Sequence, residues 1–260
     1  MTGKAQQFVA LLLSLLATGA FAAEPCAHRG DNKAAPENTI PAFESAARKG
    51  AKQIELDVHL SKDGVPVIMH DNTLQRTTNG EGNISDRTWD ELHNLDAGSW
   101  FGEAFKGTRI PTLEQALAVI PEGILCNVHL KDAPGVAKTA AEVLEKLGRL
   151  ENSFLACTLE QAQEARIVNP GIKICNMSRQ GGNRGAYIDQ TIAAGCQFIQ
   201  LHKAQGMDGL KEDVDRLHAA GVIVNFFGAN DADTMQPLAD AGIDYILTDD
   251  LDLGLKTLRK

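Results

Sequence analysis

Strand-like and helix-like runs alternate along almost the whole chain. Eight short apolar runs recur: PCAHR (25–29), QIELDV (53–58), ILCNVHL (124–130), SFLACT (153–158), IKICNM (172–177), QFIQLH (197–202), VIVNFF (222–227) and YILTD (245–249). Helical patterns at 39–49, 113–119, 136–147, 159–168, 189–194, 210–220 and 232–241 lie between them. Several stop at a glycine, as helices commonly do: Gly50, Gly148, Gly195, Gly221 and Gly242. Such alternation demands parallel strands joined by helical crossovers, an α/β fold. Eight repeats match the count of a closed (β/α)8 TIM barrel. An open doubly wound sheet is the alternative, but no Gly-rich phosphate turn follows the first strand, which argues against its dinucleotide-binding version.

One segment breaks the rhythm. HLSKDGVPVIMHD (59–71) alternates and carries an Asp63-Gly64 hairpin signal. A two-residue turn would pair Lys62 with Val65 and so set Asp57 opposite His70. Residues 72–111 then form a turn-rich insertion after the second strand.

The first 22 residues read as a leader to be removed. Lys4 gives a positive start, FVALLLSLLA (8–17) is too short to span a bilayer, and Ala20-Phe21-Ala22 is a small-residue cleavage site. Cys26 lies beyond the cleavage point, so no lipid anchor is expected. The domain then spans 23–260 and works in the periplasm or outside the cell. It would carry 24 basic and 34 acidic residues, a formal charge of −10, with no basic patch. Nucleic acid and anionic membranes are poor partners for such a surface. The five cysteines (Cys26, Cys126, Cys157, Cys175, Cys196) fit no zinc spacing and fall mostly in strands, where thiols behave as small apolar groups. Cys26 should point into the barrel and Cys126 out of it, so the two should not be bonded.

Barrel enzymes carry their chemistry at the C-terminal ends of the strands. There the chain has His28-Arg29-Gly30, Glu55 and Asp57, His70-Asp71, and His129 with Lys131. Glu55 and Asp57 sit among apolar Ile54, Leu56 and Val58, where an unpaired charge is costly. Two carboxylates with a third ligand suit a divalent cation. Two histidines on separate segments suit general acid and base roles. Arg29 and Lys131 suit an anionic, phosphate-bearing substrate.

On AHRGD (27–31), APENTIPAFESA (35–46), IELDVHLSKDGVPVIMHDNTLQRTTNGEG (54–82) and LDAGSWFGEAFKGTRIPTLEQAL (95–117), the chain resembles the glycerophosphodiester phosphodiesterases, metal-dependent (β/α)8 barrels. The resemblance implies that His28 and His70 are the acid/base pair and that Glu55 and Asp57 hold the metal. It also implies that Arg29 and Lys131 hold the phosphate and that Glu37, in the Pro-Glu-Asn-Thr element with Asn38 beside it, helps bind the substrate. The substrate would be a small or lipid-derived phosphodiester, cleaved to an alcohol and glycerol phosphate. The insertion would cap one side of the barrel.

The chain departs from this family in three places. The family's third-strand Glu, its third metal ligand, is His129 here. Its Trp-Thr-Val-Asn-Asp becomes FGAND (227–231), which leaves Phe227 as a smaller aromatic wall against the substrate. Its Thr-Asp-Arg-Pro-Asp becomes TDDLD (248–252), which removes an arginine. His129 with Glu55 and Asp57 would balance a divalent ion's two charges instead of exceeding them. The family implies magnesium or calcium, whereas an imidazole ligand favours manganese, zinc or another transition metal. Two other readings stay open: a lyase or hydrolase acting on a sphingolipid headgroup or a sugar derivative, and a phosphodiester-binding protein without turnover.

Overall fold

The computed structural model describes residues 22–178, 180 and 182–259. The expected leader lies, but for its last residue, outside the described residues. Eight parallel strands form the frame: β1 (Glu24–Ala27), β2 (Gln53–Leu60), β4 (Leu125–Leu130), β5 (Ser153–Cys157), β6 (Ile174–Asn176), β7 (Phe198–His202), β8 (Ile223–Phe227) and β9 (Tyr245–Thr248). β3 (Pro66–Ile68) is antiparallel to β2. β1 pairs with both β2 and β9, so the sheet closes on itself and the open-sheet alternative falls.

The helices α1 (Ile40–Arg48), α3 (Leu113–Val119), α4 (Val136–Lys146), α5 (Leu159–Val168), α6 (Arg184–Ala193), α7 (Leu210–Ala219), α8 (Ala232–Asp240) and α9 (Leu251–Leu258) follow strands as crossovers or, for α9, as the last element. The short α2 (Trp89–His93) belongs to the insertion. α6 begins five residues ahead of the expected 189–194 helix. The Asn183 side chain accepts from the Ala186 N–H and caps it there.

Alternation along each strand divides the core in two. Ile54, Leu56 and Val58 on β2 face outward and are buried with Phe43, Leu113, Val136 and Leu144 of the helices. Truncating Leu56 to Ala would cost about 2–5 kcal/mol. Inside the barrel, Phe154 stacks on Phe198 at 4.0 Å between ring centroids, packed with Ala156 and Cys175. All five cysteines are buried and unbonded. Cys126 is aligned with outward-facing Ile54 and Cys26 with inward-facing Gln53, so the expected separation holds.

The hairpin register differs from expectation by one residue. Val58 pairs with Ile68, His59 with Val67 and Leu60 with Pro66. Asp57 therefore faces Met69, whose N–H donates to the Asp57 carbonyl at 3.0 Å, and His70 lies one step beyond. The reason is a three-residue loop, Lys62-Asp63-Gly64, closed by the Ser61 N–H on the Val65 carbonyl at 3.0 Å. Gly64 takes φ +80°, as such loops require. Asp63 is held in the loop by Ser61 Oγ at 2.6 Å and the Trp89 N–H at 2.8 Å. The insertion packs its own small core (Leu74, Ile84, Leu92, Ala97, Ile110) onto Val67 and Met69.

Candidate active site and metal centre

β1 ends in a sharp turn. Arg29 adopts φ 57° and Gly30 φ 80°, and a Cβ on Gly30 would lie 2.9 Å from the Ala42 carbonyl carbon of α1. Only glycine permits this approach. The turn aims the Arg29 N–H at Glu55 Oε2, 2.9 Å away, and the Arg29 guanidinium at Glu37 Oε1, 2.8 Å away. His28 stands over the barrel mouth. Its Nδ1 lies 2.7 Å from Asp249 Oδ1, at the end of β9, and its Nε2 lies 4.0 Å from Glu55 Oε2.

Glu55, Asp57 and His129 offer ligand atoms that all lie within 4.8 Å of one another. The register aligns Asp57 with His129 across β2 and β4, which is why the imidazole reaches both carboxylates. His129 Nδ1 is 3.2 Å from Asp57 Oδ1 and 3.6 Å from Glu55 Oε1. Asp57 Oδ2 is fixed by the Asn38 amide at 2.8 Å. Its buried Oδ1 receives no aligned hydrogen bond, although Lys131 Nζ sits 2.7 Å away as an ion pair. A buried carboxylate oxygen without a hydrogen bond, beside a second carboxylate and an imidazole, fits a divalent cation.

His70 is carried by the segment after β3. Its Nδ1 lies 2.7 Å from Asp71 Oδ1, and its carbonyl lies 3.2 Å from His59 Nε2. Phe227, at the end of β8, meets the His28 ring edge-on at 5.2 Å and stacks on His202 at 5.4 Å.

The electrostatics follow from these contacts. Burial works against a charged His28, but the Asp249 hydrogen bond and the Glu55 charge outweigh it and raise its pKa. Burial likewise opposes a charged His129, yet the Asp57 and Glu55 carboxylates beside its ring raise its pKa too. For Asp57, burial favours the neutral acid, but the adjacent His129 ring and the Lys131 charge hold it well below the usual carboxylate range. Burial, helped by the nearby Lys131 charge, lowers the His59 pKa although the His70 carbonyl and the Asp57 charge work the other way.

Every residue singled out from the sequence lies at or beside this mouth. Glu37 differs from the others in its surroundings: both of its oxygens accept from guanidinium groups. Asp249, Arg76 and His59 were not singled out. Asp249 occupies the C-terminal end of the last strand, the position that signals function in a barrel, and that signal could have found it. His59, two residues past Asp57 at the end of β2, shares that signal; Arg76 does not, because its partners are set by the insertion.

The sequence model of the glycerophosphoryl diester phosphodiesterase family matches residues 28–253. A glycerophosphodiester phosphodiesterase of Caldanaerobacter subterraneus subsp. tengcongensis is 34% identical over 240 residues, 90% of this chain and 97% of its own. Among solved structures, an Oleispira antarctica phosphodiesterase in complex with the product sn-glycerol-3-phosphate superposes with a TM-score of 0.81 at 30% identity, covering 91% of this chain and 97% of its own. A glycerophosphodiester phosphodiesterase from Agrobacterium tumefaciens str. C58 gives a TM-score of 0.75 at 30% identity, covering 90% and 99%.

Proposed function

The chain belongs to the glycerophosphoryl diester phosphodiesterase family, and from that premise we propose that it hydrolyses glycerophosphodiesters to an alcohol and glycerol phosphate, with Glu55, Asp57 and His129 holding one divalent cation. The observation that carries this reading is the convergence of those three ligand atoms within 4.8 Å beside two histidines and two cationic side chains. The cation, when bound, supplies polarisation of the phosphoryl group.

The chain's own residues do the rest. Arg29 and Lys131 draw the phosphate into the mouth and offset its charge. His28 gives its Nδ1 proton to the Asp249 bond and keeps Nε2 toward the mouth, and its raised pKa suits the proton donor to the leaving oxygen. His70, oriented by Asp71, leaves Nε2 to accept a proton from the attacking hydroxyl. Phe227 backs the substrate with an apolar wall. The imidazole of His129 shifts metal preference toward manganese or zinc. The sn-glycerol-3-phosphate bound to the Oleispira relative supports glycerol phosphate as product.

The leader pattern at 1–22 supports export and a working domain of 23–260. Among the described residues, no helix is long and apolar enough to cross a membrane. N-terminal sequencing of the exported protein should begin near Ala23, and an intact Met1 on a membrane-bound protein would refute a removable leader.

The test of function is a panel of glycerophosphodiesters, lysolipids, sphingolipid headgroup esters and sugar phosphodiesters, assayed after chelation and refilling with magnesium, calcium, manganese or zinc. Metal-dependent release of glycerol phosphate is expected. Binding without turnover under every metal would contradict the proposal.

A further inference from the structure

Arg76 lies at the start of the insertion and touches none of the proposed metal ligands in the hydrogen-bond pattern. It makes four hydrogen bonds to two carboxylates. Nε and Nη2 donate to Asp71 Oδ2 and Oδ1 at 2.6 and 2.9 Å, and Nη1 and Nη2 donate to Glu37 Oε2 and Oε1, both at 2.8 Å. Each carboxylate holds a further group of the mouth. Asp71 Oδ1 takes His70 Nδ1 at 2.7 Å, and Glu37 Oε1 takes Arg29 Nη1 at 2.8 Å. An unbroken line of charged hydrogen bonds therefore runs from His70 through Asp71, Arg76 and Glu37 to Arg29.

The planar guanidinium is suited to this place. Its donors form a rigid fork, and here two edges of the plane serve two carboxylates at once. Lysine offers a point charge and cannot hold both geometries. The backbone that carries Arg76 is anchored, because Leu74 and Thr77 nearby are buried. Stability is a poor explanation for the arrangement: Arg76 is 43% exposed, and exposed ion pairs contribute little to folding. A direct hold on the substrate is also a poor explanation, because both forks are already committed to carboxylates. Without the shared cation, the Asp71 and Glu37 carboxylates would lose their common partner, and each would be free to re-aim the group it holds.

We propose that Arg76 is a positioning residue that sets the aim of His70 and Arg29 together, so that the insertion is part of the active-site geometry as well as its cover. The inference rests on the roles proposed above for His70 and Arg29. It adds that Glu37 serves Arg29 and Arg76 and does not itself contact an anionic substrate.

Two readouts on the metal-loaded enzyme test it. The first is kcat on glycerophosphocholine, which reports the His70 arm. The second is affinity for sn-glycerol-3-phosphate by calorimetry, which reports the Arg29 arm and needs no turnover. Arg76→Gln should lower kcat at least about tenfold, less than the roughly 10²–10⁴-fold that loss of an acid/base group itself brings. It should also weaken glycerol phosphate binding, with manganese affinity and the melting curve unchanged. Arg76→Lys should recover only part of either. Arg76→Gln with Asp71→Asn should lose little more kcat than the worse single variant, as should Arg76→Gln with Glu37→Gln in product affinity, because each pair acts through one line. A fully folded Arg76→Gln within about twofold of wild type in both readouts would overturn the proposal, as would fully additive losses. If Arg76→Gln fails to fold, the Asp71→Asn/Glu37→Gln pair reads the same line from its ends. Equal, independent losses there would also overturn it. A wild-type enzyme that binds glycerol phosphate but cleaves no glycerophosphodiester would refute the functional reading, while the binding arm still decides the role of Arg76.

Discussion

Asp249 and His28 are 221 residues apart in sequence and 2.7 Å apart across the seam where β9 meets β1. That separation explains what could be read in advance at the scale of single residues. His28, Arg29, Glu55, Asp57, His129 and Lys131 could be placed at the mouth from the sequence because each sits at or just past a strand end; His70 could be brought near it but not set in register, because the hairpin loop decides that. Asp249 was not so placed, because its bond to His28 forms between elements whose distance in the chain says nothing about their contact. We expect His28→Ala and His70→Ala each to lower kcat by about 10²–10⁴-fold with folding intact. The double variant should lose much less than the product of the two, because the groups act as a unit. Asp249→Asn keeps the shape but removes the charge that raises the His28 pKa. It should lower kcat by about tenfold, a smaller loss than His28→Ala. Steady-state kinetics beside circular dichroism checks all four, and an Asp249→Asn enzyme as active as wild type would remove Asp249 from the site.

At the scale of elements, strand and helix positions followed from apolar periodicity, but the hairpin register did not. Asp63-Gly64 reads as a two-residue turn, and the side chain of Asp63 is instead drawn to Ser61 and to the Trp89 N–H of the insertion. A tertiary contact thus chose the loop, and one residue of slip moved His70 out of the ladder. β4 carries a second element-scale feature. Asn127 is aligned with Glu55, is fully buried, and has no hydrogen-bond partner for either amide atom. An unpaired buried amide costs about 1–3 kcal/mol. We predict that Asn127→Leu melts no lower than wild type and gains up to about 1 kcal/mol, while metal-dependent activity falls. Urea unfolding beside the metal-dependent assay measures both. A stability loss above about 1 kcal/mol would mean that the amide is satisfied in the folded protein.

For the whole molecule, eight repeats announced a barrel, but closure itself depends on β1 pairing with β9, and no periodicity encodes which edges meet. The thiols give a property of the whole fold. Burial pushes Cys126 up to about 11 and Cys157 up to about 12, and it raises Cys26, Cys175 and Cys196 as well. The thiolate is the reactive form, so iodoacetamide at pH 8 should label none of the five in the native protein and all five after unfolding. The sign of the stability effect follows. An unfolded chain releases thiol protons near pH 8.5, whereas the folded chain holds them, so this contribution is complete below that pH and is lost as pH rises toward the folded values. Melting temperature should therefore fall above about pH 9. Rapid native labelling at pH 8 would contradict the burial of these strands.

The most direct test of the central claim is titration of the metal-free protein with manganese, wild type beside His129→Ala. With His129 completing a site with Glu55 and Asp57, wild type should bind one ion per chain. His129→Ala should bind at least about tenfold more weakly, the smallest loss expected when even an outer partner of a metal ligand is removed. Equal affinities would take His129 out of the metal centre and contradict the account.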